Sequence, residues 1–224
     1  MRRLGVWGIL FALTAACASA ASLRLPFAAK HAFSKRKKAP AQLHLKRHPL
    51  VALTFDDLPA GGDLHVGETR AEIAKRLVNE LKAAHLKGVY GFVNGTGVAE
   101  DPDLQAALHI WLNAGMEIGN HTWSHPALDQ STAESYIHNI AINESTLQEY
   151  EPLSNWHWFR YPYLEEGNTL SKRDAVRNWL FDHSYRIAQV TLNFQDDDWD
   201  DPYGRCLAKH DEAGIAWLKQ SYME

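Results

Sequence analysis

The sequence predicts an α/β protein with its chemistry gathered at the carboxyl ends of parallel strands. Three observations predict it. From residue 49 onward, short apolar runs alternate with helical patterns, as in wound parallel sheets and barrels. Those runs lead into chemistry-bearing residues: Asp56-Asp57 follows one, His121 and His125 follow another, and Arg160 lies in a third. All of these fall at the same kind of strand end, where wound sheets and barrels collect their functional side chains.

Leu50-Val51-Ala52-Leu53-Thr54-Phe55 reads as a buried strand that delivers Asp56 and Asp57. Ile73, Leu77, Val78 and Leu81 share one helical face, which predicts a helix over 69–86. Val89-Tyr90-Gly91-Phe92-Val93 is a second strand, ending at Asn94-Gly95. Asp101-Pro102 supplies a cap and a proline at the first helical position. The helix that follows carries Leu104, Leu108, Trp111 and Leu112 and stops at Gly115. Met116-Glu117-Ile118 forms a short third strand leading into Gly119-Asn120-His121-Thr122-Trp123-Ser124-His125-Pro126. Ser131 with Glu134 reads as a capping box for a helix reaching Tyr150. Trp156 to Tyr161 predicts a fourth strand, 170–183 a helix, and Tyr185 to Leu192 a fifth strand. Leu207 to Tyr222 is again helical in pattern.

The amino-terminal region predicts export. Arg2 and Arg3 precede an apolar stretch from Leu4 to Ala16, and the small residues Ala18-Ser19-Ala20 follow, so residues 1–20 have the layout of a secretory signal. The apolar stretch is short for a bilayer span, and no transmembrane anchor is expected. Cleavage after Ala20 is favoured over lipidation at Cys17, because Thr14 stands where lipoprotein signals carry Leu. Of the two cysteines only Cys206 would then remain, so packing rather than a disulfide holds the fold. Residues 21–48, with the basic run Lys35-Arg36-Lys37-Lys38, read as a solvated linker to a domain over 49–224. The expected location is periplasmic or extracellular. The formal net charge of −4 and the lack of a long basic stripe argue against nucleic-acid binding.

Two imidazoles and one carboxylate make a donor set that holds a divalent metal and leaves positions open for water and substrate. An isolated His-x-x-x-His is weak in a chain with 12 histidines. Here Gly119-Asn120 and Pro126 fix the backbone around it, and residues 121–125 can make one tight turn. Adjacent carboxylates repel, so Asp56-Asp57 calls for a partner that keeps both ionised. One carboxylate is then free to act as base for a metal-activated water. Arg160, in Phe159-Arg160-Tyr161-Pro162-Tyr163, precedes a proline that forces Tyr161 to be extended, which suits a cleft wall. Among the remaining histidines, His65 in the Gly-rich loop after Asp57 is the first to inspect.

Taken in order, these motifs resemble those of the polysaccharide deacetylases, the NodB-homology or carbohydrate esterase family 4 group, over residues 49–200. The resemblance implies a distorted (β/α) barrel with the site at its carboxyl-end mouth. It implies that Asp57, His121 and His125 hold a divalent metal, zinc by ligand type, and that Asp56 is the catalytic base, oriented by Arg160. It gives Tyr163 a place in the groove wall and an oxyanion-facing backbone N–H. Trp123 and Tyr163 become candidates for stacking on sugar rings. Asp198-Trp199 is similar to the end of the fourth motif and would line the substrate groove. Two positions depart from the pattern: Gln195 replaces an Asp, and Leu58 replaces a Gly.

The implied activity is removal of N-acetyl groups from an N-acetylated sugar polymer or oligomer, either a cell-envelope glycan or a chitin-like chain. Two other readings stand beside it: a glycan-binding module with a metal and little turnover, and an O-acetyl ester hydrolase. The family's fifth motif, an apolar strand ending in Leu-x-x-His, supplies a general acid. Leu207-Ala208-Lys209-His210 has its letters but sits in a charged, helical pattern. The expectation is therefore a barrel that stops before its last strand or two.

Overall fold

Each strand is followed by a helix that carries the chain back along the sheet, so successive strands must run parallel. The computed structural model describes residues 50–65 and 67–224. The predicted leader, Cys17 and the linker lie outside the described residues. Five strands pair in sequence order, all parallel: β1 Thr54–Leu58, β2 Tyr90–Val93, β3 Glu117–Asn120, β4 Trp158–Phe159 and β5 Arg186–Ile187. Six helices accompany them: α1 Arg70–Ala83, α2 Pro102–Asn113, α3 Ala133–Gln148, α4 Leu170–Asp182, α5 Asp197–Ala208 and α6 Glu212–Tyr222.

The helix starts follow cap chemistry. Thr69, Thr132 and Thr169 each accept the backbone N–H of the residue three positions on, at the heads of α1, α3 and α4. Asp101 caps α2 ahead of Pro102, as the sequence predicts. Asp103 of α2 also accepts the N–H groups of Arg70 and Ala71, tying two helix starts together. The capping box expected at Ser131 is displaced by one residue. Thr132 is the cap, and Ser131 Oγ instead donates to the Ala127 carbonyl at 2.8 Å.

Leu108 and Trp111 of α2, Ile140 and Leu147 of α3, and Val176 and Leu180 of α4 are buried in one core with Val93, Ile118 and Phe159 of the sheet. This is the predicted parallel sheet with helices packed against it. Neighbouring strands lie about 4.8 Å apart, so in a flat sheet β1 and β4 would be separated by about 14 Å. Arg160, one residue past β4, nevertheless donates to Asp56 and Thr54 on β1, and its Nε donates to the Ala188 carbonyl just past β5. The sheet is therefore strongly curled, with Arg160 on its inner side. Among the described residues β1 and β5 remain its two edges, so the wall is barrel-like but open.

Three expectations are corrected. The first strand runs to Leu58 rather than ending at Phe55, so both aspartates lie within it. The fifth spans only Arg186–Ile187, and residues 188–195 are irregular. Asp198 and Trp199, expected to line the substrate groove, stand in the first turn of α5, where carboxylates favour the positive end of the helix dipole.

Candidate metal centre and its adjoining carboxylate

Side chains of neighbouring residues in a regular strand point to opposite faces, which would send Asp56 and Asp57 apart. The β1–β2 register prevents that. Phe55 pairs with Gly91 and Leu58 with Val93, so β1 carries one extra residue across this interval. The extra residue is a bulge at the two aspartates, and Asp57 adopts a left-handed φ of 58°. Both carboxylates are thereby freed from strict alternation.

The second motif is held by buried amides. Asn120, at the end of β3, accepts the Thr122 N–H at 2.8 Å and the Asn143 side-chain amide at 2.9 Å. It donates to the Ile140 carbonyl and to the Tyr185 hydroxyl, which in turn donates to Glu144. Asn94 donates to the carbonyls of His121 and Thr122. Asn139 of α3 accepts the N–H groups of Trp123 and Ser124. These bonds keep Thr122 and His125 in left-handed backbone, at φ 69° and 54°. Such geometry persists only where the surroundings over-determine it.

Asp57, His121 and His125 come together so that one donor atom from each lies within 4.8 Å of the others. Asp57 Oδ1 is 3.5 Å from His121 Nε2 and 3.2 Å from His125 Nε2. The other ring nitrogen of His121 lies 2.8 Å from the Arg160 carbonyl. A carbonyl only accepts, so that nitrogen carries the proton and Nε2 presents a lone pair to Asp57. Lone pair facing carboxylate is repulsive unless a cation lies between them. A tetrahedral ion at about 2.0–2.2 Å from each donor would space them by about 3.3–3.5 Å, which the observed separations match. The residues fit a divalent metal.

Burial pushes the His121 imidazole down to about 4, reinforced by His125 and Arg160 and opposed by Asp57 and the Arg160 carbonyl. Its contact with Asp57 is thus not an ion pair near neutral pH. A pH dependence follows for the metal-free protein. Between the ordinary value of 6.5 and about 4, the unfolded chain takes up a proton that folded His121 refuses. Stability is therefore expected to fall as pH drops through that window. Urea midpoints of chelator-treated protein at closely spaced pH values test it, and His121→Gln should flatten this part of the curve.

Asp56 stands beside the donor set, held by Arg160. One guanidinium nitrogen reaches both Asp56 oxygens, at 2.9 and 3.0 Å. Arg160 is buried; its charge also rests over the Phe92 ring, 4.5 Å from the centroid. The Asp56 side chain is 31% exposed, but the protein packed around its carboxyl raises its pKa above the ordinary carboxylate value. Arg160 opposes that rise and Asp196 adds to it. Asp196 is thus an acidic neighbour of the Asp56 carboxyl.

Tyr163 stands at the rim, its ring edge-on to His125 at 4.5 Å and its backbone left-handed at φ 56°. Trp123 is half-exposed on the His121–His125 turn. Asp198 and Trp199 instead line a groove with Phe194, Gln195, Pro202, Trp217, Leu218 and Tyr222, away from the three metal donors. His65 faces Asp200 at 3.8 Å and packs against Tyr203, so it braces α5. His210 is exposed in the turn between α5 and α6.

A curled parallel sheet with a three-donor cluster and an arginine-held carboxylate at its carboxyl ends makes this an α/β protein with a candidate metal centre. Residues 45–179 match the polysaccharide deacetylase family, and the chain belongs to that family. It is 29% identical over 149 residues to a peptidoglycan-N-acetylglucosamine deacetylase of Bacillus cereus, covering 65% of this chain and 46% of that protein. It is 32% identical over 100 residues to the peptidoglycan-N-acetylglucosamine deacetylase PgdA of Listeria monocytogenes, covering 44% of this chain and 18% of that one. The chain thus spans less than half the length of these curated relatives. The chitin deacetylase of Colletotrichum lindemuthianum shares the fold, with a TM-score of 0.52 at 21% identity over 71% of this chain and 63% of that one. No helix among the described residues is long and apolar enough to cross a membrane.

Proposed function

We propose that this protein hydrolyses the N-acetyl group of an N-acetylated sugar in a polymer or oligomer, and that it does so after export, as the layout of residues 1–20 suggests. The observation that carries the reading is the convergence of Asp57, His121 and His125 beside an Asp56 already aimed by Arg160. The curated relatives named for peptidoglycan N-acetylglucosamine support the substrate class.

In this reading Asp57, His121 and His125 hold the metal, with zinc the best match to two imidazoles and a carboxylate. When bound there, such an ion polarises an acyl carbonyl and makes a water nucleophilic near neutral pH. Asp56, beside this donor set, would take a proton from the attacking water as the water's oxygen adds to the acyl carbon. In the metal-free protein burial raises the Asp56 pKa toward neutrality, where a base is most effective. Arg160 fixes the carboxylate in one orientation and keeps a cation beside it as it titrates. The Tyr163 backbone N–H and the side chains at the rim orient the acetyl group. As the C–N bond breaks, the proton held on Asp56 passes to the leaving nitrogen, and acetate and a free amine leave.

Acetate release is the test. Chelator-treated protein reloaded with zinc should release acetate from chitooligosaccharide or peptidoglycan, and the unloaded protein should not. Release from acetylxylan alone would make it an ester hydrolase. Bound zinc with no acetate from any of the three would leave a glycan-binding module.

A further inference from the structure

We propose that Glu166 is a positioning residue, which holds Arg160 and the Tyr163 turn in the places the reaction needs. The inference rests on the deacetylase reading for the reaction, and on bonds outside the metal centre for the residue.

Arg160 Nε donates to the Ala188 carbonyl at 2.7 Å, so the aim of Asp56 depends on where Ala188 stands. On one side Ala188 is tied to β4, its N–H donating to the Phe159 carbonyl. Past Ile187 the strand ends, and among the described residues no strand pairs with the far edge of β5. Glu166 supplies a second tie. Its Oε1 accepts the side-chain amide of Gln189, the residue after Ala188, at 2.7 Å. Its Oε2 accepts the guanidinium of Arg177 on α4. The carboxylate thus clamps the segment behind Arg160 to a helix.

Glu166 also braces the turn that carries Tyr163. Tyr163 and Leu164 are both left-handed, at φ 56° and 58°. Residues other than glycine keep that conformation only where their surroundings over-determine it. One flank of the turn is fastened to residues 128–130: Glu165 accepts the Asp129 N–H, and Asn168 donates to the Asp129 carbonyl. Glu166 fastens the other. Burial pushes the Tyr161 hydroxyl up to about 12, with Glu166 adding to the rise and Arg177 opposing it. The ion pair therefore bears on the residue that follows Arg160. Its two side chains are 41% and 26% exposed, and such pairs add little to global stability. What the pair contributes is position.

Exchange of the Arg160 Nε–H with solvent, followed by NMR on the full-length, metal-free protein with isotope-labelled arginine and tryptophan, tests the clamp. Glu166→Ala should speed that exchange about tenfold, the equivalent of one lost hydrogen bond. The Trp111 indole N–H, which donates to the Glu117 carbonyl at 2.8 Å, should keep its wild-type rate. Glu166→Gln, whose amide serves both partners once Gln189 turns its own, should restore slow exchange. In zinc-loaded protein Glu166→Ala should lower kcat for acetate release about 10- to 100-fold, the cost of a small misplacement, with KM and zinc content unchanged. Unchanged exchange in Glu166→Ala, equal acceleration at Trp111, or no recovery in Glu166→Gln each overturns the proposal. So does faster exchange with kcat intact, or a kcat loss that tracks lost zinc. If the wild type releases no acetate, the deacetylase reading falls, and exchange alone decides whether Glu166 holds Arg160.

Discussion

Asp56→Asn should retain its metal and lose turnover by about 100- to 10,000-fold, the range expected when a positioned base is removed. The amide keeps the volume and one hydrogen-bond acceptor for Arg160, so folding is preserved. It cannot take a proton from water. Acetate release measures the loss, and elemental analysis measures retained zinc. In the proposed mechanism the same residue should set the acid limb of the pH profile. The base works only when ionised, so activity is expected to fall as pH drops through its pKa, which burial raises in the metal-free protein and an adjacent cation lowers. Acetate release undiminished in the asparagine variant would remove Asp56 from the role.

Asp57→Ala and His125→Ala should each abolish metal retention. Both side chains are partly exposed, 43% and 27%, so truncation leaves no deeply buried void and the fold should survive. Even an outer hydrogen-bond partner of a metal ligand is worth about 10–100-fold in affinity. Removing one of three donors should therefore cost more than about 100-fold. Near-stoichiometric zinc in both variants after dialysis would show that the donor set is wrong. Asp56→Asn is the matching control, since it alters the neighbouring carboxylate and spares the donors.

Much of this was legible in the residues, for identifiable reasons. The aspartate pair, the two histidines and Arg160 each follow or lie within an apolar run, and the parallel sheet turns that shared position into spatial proximity. Asp101-Pro102 predicted the start of α2 correctly because a cap and a pre-set φ act within two residues. The bulge at Asp56-Asp57 was not legible, because an extra residue in a strand leaves no mark in its hydrophobic pattern. β4 and β5 shrank to two residues each because the flanking aromatics are buried in irregular backbone rather than in the ladder. The head of α5 was hidden because consecutive aspartates, Pro202 and Gly204 are all poor residues for a helix interior. One clue was available for the amide scaffold. Asn143 falls on the apolar face of α3 with Tyr136, Ile140 and Leu147, where a buried polar side chain requires a partner.

Arg160 has a consequence for how the centre can be altered. Its guanidinium aims Asp56, while its main-chain carbonyl fixes the tautomer of His121. Substitution deletes the first handle and cannot delete the second. Exchanging the side chain should therefore retune proton transfer while the ion-holding ring keeps its orientation. Only a displacement of the chain itself, as a change at Pro162 would cause, should disturb both halves at once.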